Sequence, residues 1–155
     1  MATWILFGKL IGVATFVGFG EKRCRKHLPL YDLPENMLKL QSMQDFHDVD
    51  DASELVGMLE RLISPDGTGA FWLHRDGNCE LALFLNGRRA AVYRDSDGAW
   101  SATPDASDDD CDQFRLENGQ VDDFPLSQCV PTADGIAAFL DTAMTGQLST
   151  NITWH

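Results

Sequence analysis

The stretch Cys79-Glu80-Leu81-Ala82-Leu83-Phe84-Leu85-Asn86-Gly87-Arg88-Arg89-Ala90-Ala91-Val92-Tyr93-Arg94 decides the fold class. Alternation from Cys79 to Leu85 sends Leu81, Leu83 and Leu85 to one face of a strand, and Glu80, Ala82 and Phe84 to the other. Asn86-Gly87 then supplies two residues that tolerate positive φ, the requirement of a type I′ hairpin turn. Arg89 to Arg94 returns as the partner strand, with Ala91 and Tyr93 on one face. Upstream, Phe71 to Arg75 is β-prone and is closed by Asp76-Gly77-Asn78. Downstream, Asp97-Gly98 turns the chain before Ala99-Trp100-Ser101. Gln113 to Glu117 and Val121 to Phe124 flank a second Asn-Gly pair, Asn118-Gly119. These runs read as an antiparallel meander.

A helix is expected on each side of it. From Asp51 to Ile63, the residues Ala52, Leu55, Val56, Leu59, Leu62 and Ile63 recur at helical spacing and define one apolar face. Asp51 is the N-cap and Glu54 completes a capping box, while Ser64-Pro65-Asp66-Gly67 ends the helix. From Pro131 to Met144, Thr132 is the expected N-cap and Ile136, Phe139, Leu140, Ala143 and Met144 the buried face, with Gly146 as the C-terminal stop. A β-prone tail, Asn151 to His155, follows. The expected class is α+β: an antiparallel β-meander sheet packed with two main helices, one before and one after it.

Charge divides the chain of 155 residues. Its net charge is −12, from 12 basic and 24 acidic residues. Residues 1–42 carry six basic residues against three acidic, or +3; residues 43–155 carry six against 21, or −15. The expected division is a basic and apolar N-terminal extension, 1–42, and an acidic domain, 43–155. In the extension, Lys9 interrupts the apolar run, and the uninterrupted part, 10–20, is too short to span a bilayer. The cluster Lys22-Arg23-Cys24-Arg25-Lys26 follows the apolar run, whereas a secretory signal places its basic residues first. The order argues for a cytoplasmic protein and against a membrane role. The extension reads as a weak membrane or interface anchor, a structured extension packed on the domain, or an appendage not needed for function, with Met37 and Met43 as later starts. An acidic surface repels phosphate backbones, which argues against direct nucleic-acid binding.

Motifs of catalysis are missing. There is no G-x-S-x-G elbow, no phosphate-binding glycine loop, no H-x-E and no H-E-x-x-H. Cys24, Cys79, Cys111 and Cys129 are widely spaced, and His27, His47, His74 and His155 are single. No enzyme activity, metal or cofactor is expected. Pairs such as Asp122-Asp123 read as solvated faces in so acidic a chain.

One segment stands apart. Asp95 to Asp112 holds Asp95, Asp97, Asp105, Asp108, Asp109, Asp110 and Asp112, seven acids in 18 residues and no base. It reads either as a flexible solvated loop or as an anionic surface that docks a cationic partner. Trp100 inside it reads either as a binding anchor or as a core residue. These eight residues are the candidate partner-binding set.

The C-terminal third carries a resemblance. The pattern comprises Asp123-Phe124-Pro125-Leu126-Ser127-Gln128-Cys129-Val130-Pro131, the helix with Ala137-Ala138-Phe139-Leu140, then Thr145-Gly146 and Ile152-Thr153-Trp154. It resembles the immunity proteins of bacterial polymorphic toxin systems, in particular the family usually numbered first among them, whose neighbours often carry deaminase toxin domains. The hairpin Glu80 to Tyr93 and the helix near Leu55 also fit, so the resemblance spans roughly residues 50–155. Leu148-Ser149 stand where that family commonly has arginine-proline, a departure that loosens the expected turn before Trp154.

The resemblance implies a protein that binds and neutralises a cognate toxin, a basic nucleic-acid deaminase, as a monomer in a 1:1 complex. A −15 domain suits the basic cleft of such a toxin. The alternative is a secretion chaperone, a small acidic α+β protein that holds an extended effector segment and is commonly dimeric.

Overall fold

The computed structural model describes residues 37–42, 45–116 and 118–155. Expectations for residues 1–36 lie outside the described residues. The chain runs through β1 (Leu38–Ser42), β2 (Asp45–Val49), α1 (Ala52–Leu62), β3 (Thr68–Arg75), β4 (Asn78–Asn86), β5 (Arg89–Arg94) and β6 (Ala99–Ala102). It continues through β7 (Cys111–Arg115), β8 (Val121–Pro125), a 3-10 turn (Leu126–Gln128), β9 (Val130–Pro131), α2 (Thr132–Thr145) and β10 (Thr153–Trp154). Eight strands form one antiparallel sheet in the order β10-β6-β5-β4-β3-β1-β2, with β9 alongside the start of β5. One helix precedes the meander and one follows it, so the class is α+β as the pattern predicts.

The turns hold the register. Asp76 and Gly77 have φ of 51° and 80°, the two positive values of a type I′ turn. The β4–β5 turn is built differently from expectation. Asn86 ends β4, the central pair is Gly87-Arg88, and of these only Gly87 has positive φ, at 87°. That matches type II′, which places glycine first. Asn86 Oδ1 accepts the N–H groups of Arg88 and Arg89 at 3.0 and 2.7 Å. The same turn meets the loop after α1: a β-carbon on Gly87 would lie 2.6 Å from the Asp66 carbonyl oxygen, and one on Gly67 would lie 3.1 Å from Gly87 Cα.

β1 and β2 are a hairpin that the sequence reading missed. β1 sits inside the sheet, between β2 and β3, with Leu40 opposite both His47 and Leu73. Leu40 is fully buried. Leu38–Ser42, which the charge pattern groups with the extension, thus form a strand of the sheet.

The sheet is covered on both faces. On one, Leu40, Leu73, Leu81, Leu83, Leu85 and Val92 pack with Leu55, Leu59 and Phe139 of the helices. On the other, a separate two-stranded hairpin, β7–β8, lies against β3 and β4. Its Phe114 and Phe124 join Trp72 and Phe84 in an aromatic layer, all four buried. The ring centroids of Phe84 and Phe124 are 5.3 Å apart, and those of Phe114 and Phe124 4.8 Å apart. Burial on both faces explains why β4 is a continuous apolar run, Leu81-Ala82-Leu83-Phe84-Leu85. The expected meander is therefore real from β3 to β6, but β7 and β8 leave it for a third layer.

Both helices are turned slightly from the expected faces. Asp51 Oδ1 accepts the Glu54 N–H at 2.9 Å, and the Glu54 carboxylate reaches back to the Asp50 N–H at 2.8 Å, one residue beyond the expected capping box. α1 buries Leu55, Met58 and Leu59, leaving Val56 38% exposed. α2 buries Gly135, Ala138, Phe139, Thr142 and Ala143, leaving Met144 47% exposed. Small residues face inward because the α2 backbone lies close to β5: a β-carbon on Gly135 would meet the Ala90 Cβ at 2.3 Å. Pro131, not Thr132, occupies the N-cap position of α2, and the Thr132 hydroxyl is buried with no hydrogen-bond partner. Gly146 ends the helix at φ 69°, as expected.

The tail is held more firmly than the arginine-proline departure implies. Ser149 is buried, its N–H donates to Thr142 Oγ1 at 3.1 Å, and its carbonyl accepts the Trp154 indole N–H at 2.8 Å. β10 pairs with β6, and Trp154 packs against the helix-side core.

Candidate partner-binding surface

The candidate acidic segment is split by β6. Asp95 and Asp97 lie in the four-residue turn before it, and Asp105, Asp108, Asp109 and Asp110 in the loop after it. The strand separates the two groups by roughly 13 Å at about 3.3 Å per residue. In the turn, the Asp95 N–H donates to the Glu80 carbonyl at 3.0 Å, and Asp97 lies 3.7 Å from the Arg94 guanidinium.

The loop is tied down along its length. Thr103 donates its N–H to the Ser127 carbonyl at 2.7 Å and its hydroxyl to the Cys129 carbonyl at 2.6 Å. The Ala106 N–H reaches the Thr103 carbonyl at 3.1 Å. The Ser127 hydroxyl donates to the Asp108 carboxylate, and the Leu126 N–H to the Asp110 carbonyl at 2.8 Å. The Ser107 hydroxyl accepts the Asp109 N–H at 3.0 Å. Asp105, Asp108, Asp109 and Asp110 are nonetheless exposed. A fixed backbone thus presents four carboxylates to solvent.

Two members of the set serve the interior. Asp112 alternates with Phe114 along β7, so it faces the sheet, half-buried, with a 3.1 Å salt bridge to Arg89 of β5. Trp100 is half-buried, with its ring 4.6 Å from Tyr93 and 5.7 Å from Phe124. It extends the aromatic layer beneath the hairpin.

One acid that the sequence reading set aside joins the surface. Asp123 lies on the outer face of β8, opposite Gln113 and diagonal to Cys111. The Cys111 thiol is held above its ordinary value by partial burial first, then by Asp123, Asp110 and Asp109. All three carboxylates thus disfavour the thiolate of this exposed cysteine. The signal was the period of two in both strands, which puts Cys111, Gln113 and Asp123 on one face. Val121, 49% exposed, shares that face.

The thiols provide a check. A raised pKa means less thiolate at any pH below it, so Cys111 is expected to alkylate with iodoacetamide more slowly than a cysteine peptide at neutral pH. Its rate should keep climbing with pH beyond the ordinary thiol value of 9.0. Asp109→Asn with Asp110→Asn should raise the rate, as should salt, which screens exposed carboxylates. Cys129, buried and pushed up to about 12, should stay unmodified in the folded chain. A Cys111 rate equal to that of the peptide would mean the carboxylates do not act on it.

No group of three or more His, Cys, Asp or Glu side chains that could hold a metal ion occurs among the described residues. No helix among them is long and apolar enough to cross a membrane. Compared with protein-family models and with curated proteins, the chain matches none.

Proposed function

We infer that this chain is a non-enzymatic inhibitor of the immunity type, acting in the cytoplasm, which binds a cognate toxin domain in a 1:1 complex. A basic nucleic-acid deaminase is the toxin class that the sequence resemblance implies. The observation that carries the reading is the pinned acidic loop, whose exposed Asp105, Asp108, Asp109 and Asp110 stand on a segment bonded through main chain and side chains to Leu126, Ser127 and Cys129. Charge held in a fixed arrangement loses little entropy on binding and steers a cationic cleft into register. Asp123 enlarges the patch, while Asp95 and Asp97 form a separate acidic point beyond β6.

Tagged full-length protein, expressed in its own host and recovered at low salt, is expected to bring down a stoichiometric basic domain. That domain's activity on nucleic acid should fall when the chain is added. With the partner in hand, Asp108→Lys, Asp109→Lys and Asp110→Lys together should slow association roughly tenfold or more at low salt and flatten its salt dependence. Unchanged association kinetics would remove the loop from the interface. Recovery of an extended secretion segment of an effector, with a dimeric form of this chain, would replace the inhibitor reading by the chaperone one.

A further inference from the structure

The two edges of the sheet differ. β10 closes one with a two-residue strand, whereas among the described residues no strand lies beyond β2. The direction of the backbone groups on β2 follows from one hydrogen bond. The Met37 carbonyl accepts the Asp76 N–H at 3.2 Å, so residues 37, 39 and 41 turn their backbone groups towards β3. Residues 38, 40 and 42 turn theirs towards Val49, His47 and Asp45 of β2. Phe46 and Asp48 therefore point their N–H and C=O groups away from β1, to the edge where no described strand pairs with them.

The side chains of the same two residues share the sheet face opposite the helices. Phe46 lies across from Gln41, its ring 5.4 Å from that of His74, and remains 46% exposed. Asp48 forms a 2.8 Å salt bridge with Lys39 and keeps most of its carboxylate in water. From Asp45 to Asp51 the chain carries Asp45, Asp48, Asp50 and Asp51 and no Lys or Arg.

We propose that this edge takes an extended segment of the protein partner as an added strand, with an apolar side chain beside Phe46 and a lysine or arginine beside Asp48. Main-chain hydrogen bonds to Phe46 and Asp48 supply the affinity, and the paired side chains the selectivity. Charge decides between occupants. A second copy of this chain would set Asp45 and Asp48 against the same acids on a surface of equal sign, which disfavours self-pairing. A segment with basic and apolar residues two positions apart meets both features at once. The inference rests on the reading that the chain works by holding a protein partner, and it adds a second contact to the acidic loop.

The test uses the full chain, labelled with 15N, and two synthetic peptides: acetyl-Ser-Thr-Lys-Thr-Val-Thr-Lys-Thr-Ser-amide and its analogue with glutamate for lysine. The lysine peptide should slow amide exchange at Phe46 and Asp48 roughly tenfold or more while leaving His47 and Val49, already paired to β1, nearly unchanged. The glutamate peptide should not bind. Phe46→Pro removes an edge N–H that β1 does not use, and should weaken the lysine peptide about tenfold. Asp48→Lys, a milder change at an exposed site, should reverse the preference towards glutamate. Equal binding of the two peptides, protection elsewhere than β2, or wild-type affinity in a folded Phe46→Pro variant would overturn the proposal. The two readings also fail separately. A toxin complex that leaves exchange at Phe46 and Asp48 unchanged sinks the edge contact alone, whereas peptide protection in a chain that neutralises no toxin sinks the inhibitor reading alone.

Discussion

Gly135→Ala is expected to destabilise the protein by about 1–3 kcal/mol, the range for overpacking a tight interior, although alanine is the better helix former by about 1 kcal/mol. The added methyl would stand 2.3 Å from the Ala90 Cβ and 3.3 Å from a Val130 methyl. Neither neighbour can swing aside: Ala90 is fully buried on a strand bordered by β4 and β9, and Val130 belongs to β9. The helix must lift from the sheet or the strand must bend. Gly57→Ala is the internal control. It lies in α1, where the new methyl meets only the Arg61 guanidinium, at 3.6 Å. That variant should gain up to about 1 kcal/mol from helix propensity. Opposite signs for one substitution in two helices, read by urea denaturation, would establish that α2 packs through its glycine. A shared sign would remove that account.

Phe114→Ala should cost about 3–5 kcal/mol, the range for emptying a buried aromatic site. Phe114 is fully buried and stacks edge-on against Phe124. An isolated two-stranded hairpin is marginal in water, so β7–β8 depends on this aromatic layer for its place. The Arg89–Asp112 salt bridge, part-exposed, is too weak to hold the hairpin alone. Amide exchange should therefore accelerate first across residues 111–125, ahead of β3 to β5. If the acidic loop docks a partner, this variant should also slow association, since every charge is retained but the loop's support is loosened. Uniform acceleration over the whole sheet would mean the hairpin is not a separable layer.

What could be read from the sequence follows from where the determinants lie. β3, β4 and β5 were legible because their turns carry Asp76-Gly77 and Asn86-Gly87, local signals that need no knowledge of the rest of the chain. The turn type at Gly87 was not, since Asn86 sits within β4 and supplies its side chain as an acceptor. β1 and β2 escaped because the connection between them, Met43-Gln44, has no turn residue, and because Asp45-Phe46-His47-Asp48-Val49 reads as a solvated run. Only the neighbouring β3 makes a strand of β1. The position of β7–β8 off the main sheet is likewise a long-range outcome: local alternation fixes which side chains share a face, not which surface that face meets. Parity alone does separate Asp112 from the exposed acids, because it alternates with the buried Phe114. By the same rule Asp123 belongs with Cys111. The acidic segment was visible by composition, but its division by β6 and its attachment to Ser127 and Cys129 depend on residues some twenty positions away.

The meeting of Gly67 with Gly87 ties two loops into one heritable unit. Each occupies a backbone region that other residues rarely adopt, at φ 77° and 87°, and each stands where the other loop leaves no room for a side chain. A change at either position is therefore filtered by what the other has already become. Lengthening the loop after α1, ordinarily among the cheapest edits a domain can accept, would push Asp66 into the hairpin turn that sets the sheet's register. A change at this corner must suit both loops at once, whichever of them it falls in.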